Sequence, residues 1–196
     1  MMGTPKKPEL VRLFVGMLSR DQKLFSAAAN ILTKKFGPVL LESEIIPFEF
    51  TDYYTPEMGE NLWRKFLAFK RMVPPEKLAS IKLFTNHLEK TYSQNKKRRI
   101  NLDPGLLTPA RVILASTKDF SHRIYLKSGI YAEITLLFRK KKFETLAWTY
   151  PDYRTEPYLK FFSALRNTQG FRSCNLRELK KETQCQRRTK CVKKNR

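Results

Sequence analysis

Two helix-like stretches, each fenced by proline, alternate with short apolar runs in the first half of this chain, and that alternation leaves few folds open. Leu10 to Leu18 (LVRLFVGML) has the length and apolarity of a buried strand. Ser19 follows, with Gln22 three residues on, the spacing of a capping box. Leu24, Phe25, Ala28, Ile31, Leu32 and Phe36 then recur at helical spacing, and Gly37-Pro38 supplies the stop. The spacing predicts a helix over Asp21 to Phe36. Val39 to Phe50 reads as extended, with Pro47 marking an edge or a break, and Thr51 to Gly59 as a loop. Leu62 to Val73 (LWRKFLAFKRMV) fits either period. A strand is the consistent choice, because Pro74-Pro75 ends it and a clear helix, Glu76 to Tyr92, comes next. Ile100 to Leu102 begins another strand. The order β-α-β-β-α-β is that of a split βαβ, ferredoxin-like unit, and it would fail if Leu62 to Val73 were helical.

The second half reads as an addition to that unit. Asp103-Pro104-Gly105 looks like a tight turn, and Thr108-Pro109 like the start of a short helix over Ala110 to Ala115. His122 to Leu126 and Ile130 to Phe138 pair as a hairpin, and Lys140 to Lys142 turn the chain into Phe143 to Trp148. A three-residue loop, Lys127-Ser128-Gly129, places glycine where the left-handed region is needed. That register sets Leu126 against Ile130, Tyr125 against Tyr131, Ile124 against Ala132 and Arg123 against Glu133, whereas a two-residue loop would mix the faces. A last helix runs from Thr155 to Arg166. The expected class is α+β: a mixed, mainly antiparallel sheet with a βαββαβ start, an added hairpin and meander, and a C-terminal helix. The expected core holds Phe14, Leu24, Phe25, Ile31, Leu32, Leu88, Ile124, Ile134, Leu136 and Phe162.

At 196 residues, 41% of them hydrophobic, the chain suffices for one domain with a proper core, expected over 1–166. Beyond it, 167–196 loses periodicity and reads as a disordered basic tail. The formal charge of +21 favours polyanionic partners such as RNA, DNA, nucleotides or anionic lipid. The plainer alternative is a lysine-rich surface that only keeps the chain in solution. No run approaches the roughly 18 apolar residues of a membrane span, and no cleavage site follows Met1 to Leu18, so a cytoplasmic location is expected. Cys174, Cys185 and Cys191 are odd in number, irregularly spaced and without a neighbouring histidine. They read as free thiols rather than a disulfide or zinc framework.

Six segments carry a resemblance. TDYY (Thr51 to Tyr54), KLFTN (Lys82 to Asn86), NLDPG (Asn101 to Gly105), STKDFSHRIYL (Ser116 to Leu126), GIYAEITL (Gly129 to Leu136) and WTYPDY (Trp148 to Tyr153) occur in order. Over about Val11 to Arg166 the chain resembles an uncharacterised bacterial family catalogued as domain of unknown function 4416. The resemblance implies no established activity, and the cofactor is left unknown. Some members carry a GTP-binding label, yet this chain has no glycine-rich loop ending in Gly-Lys-Ser/Thr.

The residues themselves offer one polar site. Lys118, His122 and Arg123 are expected to gather near Glu133 and Asp103 and to bind an anion, with Tyr125 and Tyr131 walling the same face. Arginine brings a planar fork for phosphate, lysine a mobile charge, and histidine a proton carrier near neutral pH. His122, Glu133 and Asp103 are the candidate acid–base groups. The plainer reading is that Glu133 only neutralises Arg123 across the hairpin. Neither His87 with Glu89 nor His122 with Asp119 converges on the three or four ligands of a metal site, so none is expected. Two functions remain open: a module binding RNA or a nucleotide through a basic surface, or an enzyme acting on a small phosphorylated substrate. Concavity separates them, since an enzyme needs its groups in a pocket and a nucleic-acid binder needs an exposed basic stripe with aromatics.

Overall fold

The computed structural model describes residues 3–168. In chain order the elements are β1 (Val11–Ser19), α1 (Lys23–Phe36), β2 (Val39–Glu42), β3 (Ile46–Phe48), the short α2 (Thr55–Met58), β4 (Leu62–Val73), α3 (Leu78–Thr91), β5 (Asn101–Leu107), β6 (Arg111–Ser116), β7 (Ile124–Lys127), β8 (Ile130–Arg139), β9 (Lys142–Thr145) and α4 (Glu156–Asn167). Every position of β1 is buried, which requires cover on both faces of the sheet. Alternate residues supply it. Leu13, Val15 and Met17 pack with the apolar faces of α1 and α3, while Phe14 joins Phe66, Phe161 and Phe162 in a second core under α4. The molecule is therefore three layers: two helices, a sheet, and one helix.

One nine-stranded sheet has the order β2-β4-β1-β5-β6-β8-β7, with β3 on β4 and β9 on β8. In that order β2, β4, β1 and β5 lie side by side, with α1 between β1 and β2 in the chain and α3 between β4 and β5. All pairings are antiparallel rather than mixed. The segment from Leu62 to Val73 is a strand with the bounds expected. No helix among the described residues is long and apolar enough to cross a membrane. The basic segment from residue 169 on, with its three cysteines, lies outside the described residues.

Several local expectations are corrected. Ala110 to Ala115 is not helical: Arg111 to Ala115 lie in β6, and Thr108 to Ala110 form the turn before it. There Thr108 Oγ1 accepts from the backbone N–H groups of Ala110 and Arg111. Asp103-Pro104-Gly105 is not a turn but the middle of β5, where Gly105 admits the Phe14 ring. A Cβ there would also meet the Ile113 carbonyl oxygen at 2.6 Å. Ser19 makes no capping box; its hydroxyl donates to the Arg99 carbonyl at 2.7 Å, and α1 begins at Lys23. Thr51 to Gly59 is not a plain loop, since it holds a 3-10 turn (Asp52–Tyr54) capped by Thr51 and then α2. The hairpin turn is two residues, Ser128-Gly129, both with positive φ (53° and 73°). The extra residue goes into a bulge at Leu126, which restores the pairs Tyr125 with Tyr131 and Ile124 with Ala132. Ile124, expected in the core, is 71% exposed because β7 is an edge strand with no layer over it. Ile31 is exposed on the outer side of α1, and Ile134 is half-buried.

One irregularity prepares a site. The β5–β6 ladder covers only Gly105–Leu107 against Val112–Leu114. Residues 101–104 pair with β1 alone, and Ala115 and Ser116 with β8 alone. The two strands part at Pro104, which has no N–H to donate, and a cleft opens between them.

Candidate functional site

The parted strands, α3, the 3-10 turn at Asp52–Tyr54 and the chain around Tyr150 to Tyr153 enclose a cavity of about 940 Å³. Its floor is built from charged side chains that the fold has placed on apolar faces. Arg64 occupies the face of β4 that Leu62, Phe66 and Ala68 share. Lys82 and Glu89 interrupt the buried stripe of Leu78, Ile81 and Leu88 on α3. Asp103 joins them. Its Oδ1 accepts from Lys82 Nζ at 3.4 Å, and its Oδ2 accepts from Arg64 at 3.2 Å and from Asn101 Nδ2 at 2.6 Å. Lys82 Nζ also donates to the Leu102 carbonyl at 2.8 Å, and Glu89 accepts from the Leu102 N–H at 2.7 Å. Arg64 donates to the Tyr158 hydroxyl at 3.2 Å and lies 3.5 Å from Asp152. Every buried charge here has a partner, as burial demands.

The carboxyls of this floor differ. Burial pushes Asp103 up, but Lys82 and Arg64 together outweigh it and hold its pKa below the usual value. Burial wins at Asp152 and Glu89, which are raised despite Arg64 and Lys82 respectively. Burial would lower Arg64, yet Tyr158, Asp103 and Asp152 hold it well above its ordinary value. It is a permanent cation. One wall is fixed by Arg98, whose Nη2 and Nε hold Glu57 of α2 at 2.7 and 2.8 Å.

The rim is a second cluster. Arg123 Nε donates to Glu133 at 2.7 Å, its Nη1 to the Lys118 carbonyl at 3.0 Å and its Nη2 to the Tyr150 hydroxyl at 2.5 Å. Burial, then Glu133, push the Tyr150 hydroxyl up to about 12, so it stays protonated. Lys118 Nζ donates to the Tyr53 hydroxyl at 2.6 Å and sits 3.8 Å over the Tyr53 ring. Among the described residues it has no carboxylate partner.

Of the residues expected to meet, Lys118, Arg123, Glu133 and Asp103 line this one cleft. His122 reaches Glu133 at 3.2 Å but stacks on Trp148 and faces a separate shallow hollow with Phe120. Arg123 is a brace: its Nε, Nη1 and Nη2 each already donate to a group of the fold. Tyr125 and Tyr131 pack on each other toward the hairpin tip, beyond Glu133 and outside the cleft. No group of three His, Cys, Asp or Glu among the described residues is placed to hold a metal ion. Arg64, Lys82, Asn101, Asp152 and Tyr153 were not expected here. For Arg64 and Lys82 the signal was present, a charge in the middle of an apolar face, which a fold accepts only with a partner.

All six motifs quoted above contribute to the lining. The molecule is thus an α+β domain with a cleft of ionisable and aromatic side chains in the seam of its sheet. Residues 9–168 match the family described as domain of unknown function (DUF4416), and the chain belongs to it. No curated protein and no solved structure matches the chain significantly.

Proposed function

We propose that the protein binds a small, phosphate-bearing ligand of about nucleotide size in this cleft, with the phosphate at the Lys118 rim. The observation that carries the reading is concavity. Ionisable residues from both halves of the chain meet in one cavity within the roughly 300–1,000 Å³ range of ligand pockets. Lys118 supplies a positioned cation that has no carboxylate partner among the described residues, and Phe120 and Tyr53, 64% and 56% exposed, offer ring faces beside it. Such a site suits one small molecule better than a nucleic-acid backbone, which follows a stripe.

The test is calorimetric titration with ribonucleoside monophosphates and with single-stranded RNA. Saturable one-to-one binding of a monophosphate is expected, weakened about tenfold or more by Lys118→Ala with an unchanged thermal midpoint. RNA binding that monophosphate cannot displace, with no monophosphate binding at all, would defeat the reading. One observation favours the enzymatic alternative, action on a small phosphorylated substrate. Asp103 and Asp152 face the same cleft with pKa values driven apart, the arrangement in which one carboxyl serves as base and another as acid. Product formation from the bound ligand, lost in Asp103→Asn, separates the two.

A further inference from the structure

The floor of the cleft hides its cations and shows its anion. Arg64 and Lys82 keep only 3% and 7% of their side chains accessible, whereas Asp103, which both of them hold, keeps 24%. A carboxylate offers about four acceptor positions, and Lys82, Arg64 and Asn101 use three. What the floor turns toward a ligand is therefore an acceptor, and one whose charge repels phosphate. A second group stands on the same floor. Tyr153 lines the cleft and is 3% exposed, yet its hydroxyl is buried without a hydrogen-bond partner. That hydroxyl lies within the fields of Arg64, Asp152 and Asp103. A buried hydroxyl left unpaired is costly, and such an orphan calls for a partner.

An acceptor and an orphan hydroxyl on one floor complement a ligand hydroxyl, which donates and accepts through a single atom. A phosphate dianion has nothing to give Asp103, and an ammonium has nothing to accept from Tyr153. We propose that the floor takes the sugar hydroxyls of a ribonucleotide or sugar phosphate, Asp103 accepting and Tyr153 donating. The inference rests on the reading that a phosphate ester fills the cleft, and it orients that ester: hydroxyls inward, phosphate outward at Lys118. It also sets the substrate class, since a ligand without those hydroxyls leaves both groups unpaired.

Tyr153→Phe tests it, because the change removes only an oxygen that no group among the described residues uses. Full-length wild type and variant are titrated with the ribonucleoside monophosphates and with their dideoxy counterparts. Wild type is expected to bind the ribo series about tenfold or more tighter than the dideoxy series, the effect of losing a hydrogen bond to a charged acceptor. In Tyr153→Phe that ratio should narrow several-fold while the thermal midpoint holds or rises. Equal affinity for both series in wild type overturns the inference and leaves the phosphate reading standing. An unchanged ratio in the variant also overturns it. Saturation by neither series overturns both.

Discussion

At Asp103 burial and charge pull the carboxyl in opposite directions, and charge wins. Its folded pKa lies below its unfolded one, so the native state binds fewer protons there than the unfolded chain does. The stability this group contributes is present above the unfolded value and lost as pH falls through the folded value. Glu89 and Asp152 run the other way. Their folded pKa values are raised, so protonating them as pH falls from neutral relieves the burial of a charge and adds stability. The thermal midpoint should stay level or rise into mild acid and then drop below the ordinary carboxylate range of about 4. Asp103→Asn should start from a lower midpoint and lose part of that acid drop. A drop of equal depth in both proteins refutes the assignment. The rim was legible residue by residue, since Lys118, Arg123 and Glu133 are close in sequence and joined by a hairpin. Of the floor only Asp103 was, because Arg64, Lys82 and Asp152 meet it only once four distant segments are folded. Arg123 shows the limit of reading types alone: its pairing with Glu133 was legible, but not that the Lys118 carbonyl and the Tyr150 hydroxyl would take its other two nitrogens.

The helices declare themselves by period and punctuation. Gly37-Pro38, Pro74-Pro75 and Pro157 each mark an end that α1, β4, α3 or α4 respects to within a few residues. The element misread most was β5, because Asp-Pro-Gly signals a turn by the same properties that here serve a strand. The missing N–H of Pro104 falls where β6 has parted from β5, and the missing Cβ of Gly105 makes room for Phe14. Taking β5 for a turn invited the second error, since a helix then seemed needed over β6. A direct consequence is that Gly105→Ala must push apart the Phe14 ring and the Ile113 carbonyl. The expected loss is roughly 1–3 kcal/mol, the range for overpacking a filled core, read from the midpoint of denaturant unfolding. An unchanged midpoint would mean that β5 and β6 separate without strain, and that Pro104 alone opens the seam.

For the whole molecule, charge and cleft are separable. The chain carries +21, and residues 167–196 hold ten of its 39 basic side chains against two acidic ones. Attraction of this kind acts through counterion release and is blind to which polyanion is present, so it falls steeply with salt. The cleft is different in kind: its lining mixes seven basic with five acidic residues, and most of those charges are paired within the fold. A monophosphate there should depend weakly on salt, whereas RNA or heparin should depend strongly. The experiment keeps the chain at full length and changes Lys180, Lys181, Arg187 and Arg188 to glutamine. The slope of log affinity for single-stranded RNA against log salt should fall by about 0.7 for each phosphate that the variant no longer neutralises. Monophosphate affinity should move by less than about twofold, because screening confines such charges to a Debye length of roughly 10 Å. If both affinities fall together, the polyanion and the small ligand share the cleft, and the basic segment acts as its outer wall. If neither falls, the charge of that segment takes no part in binding, and the surplus serves only to keep the chain in solution.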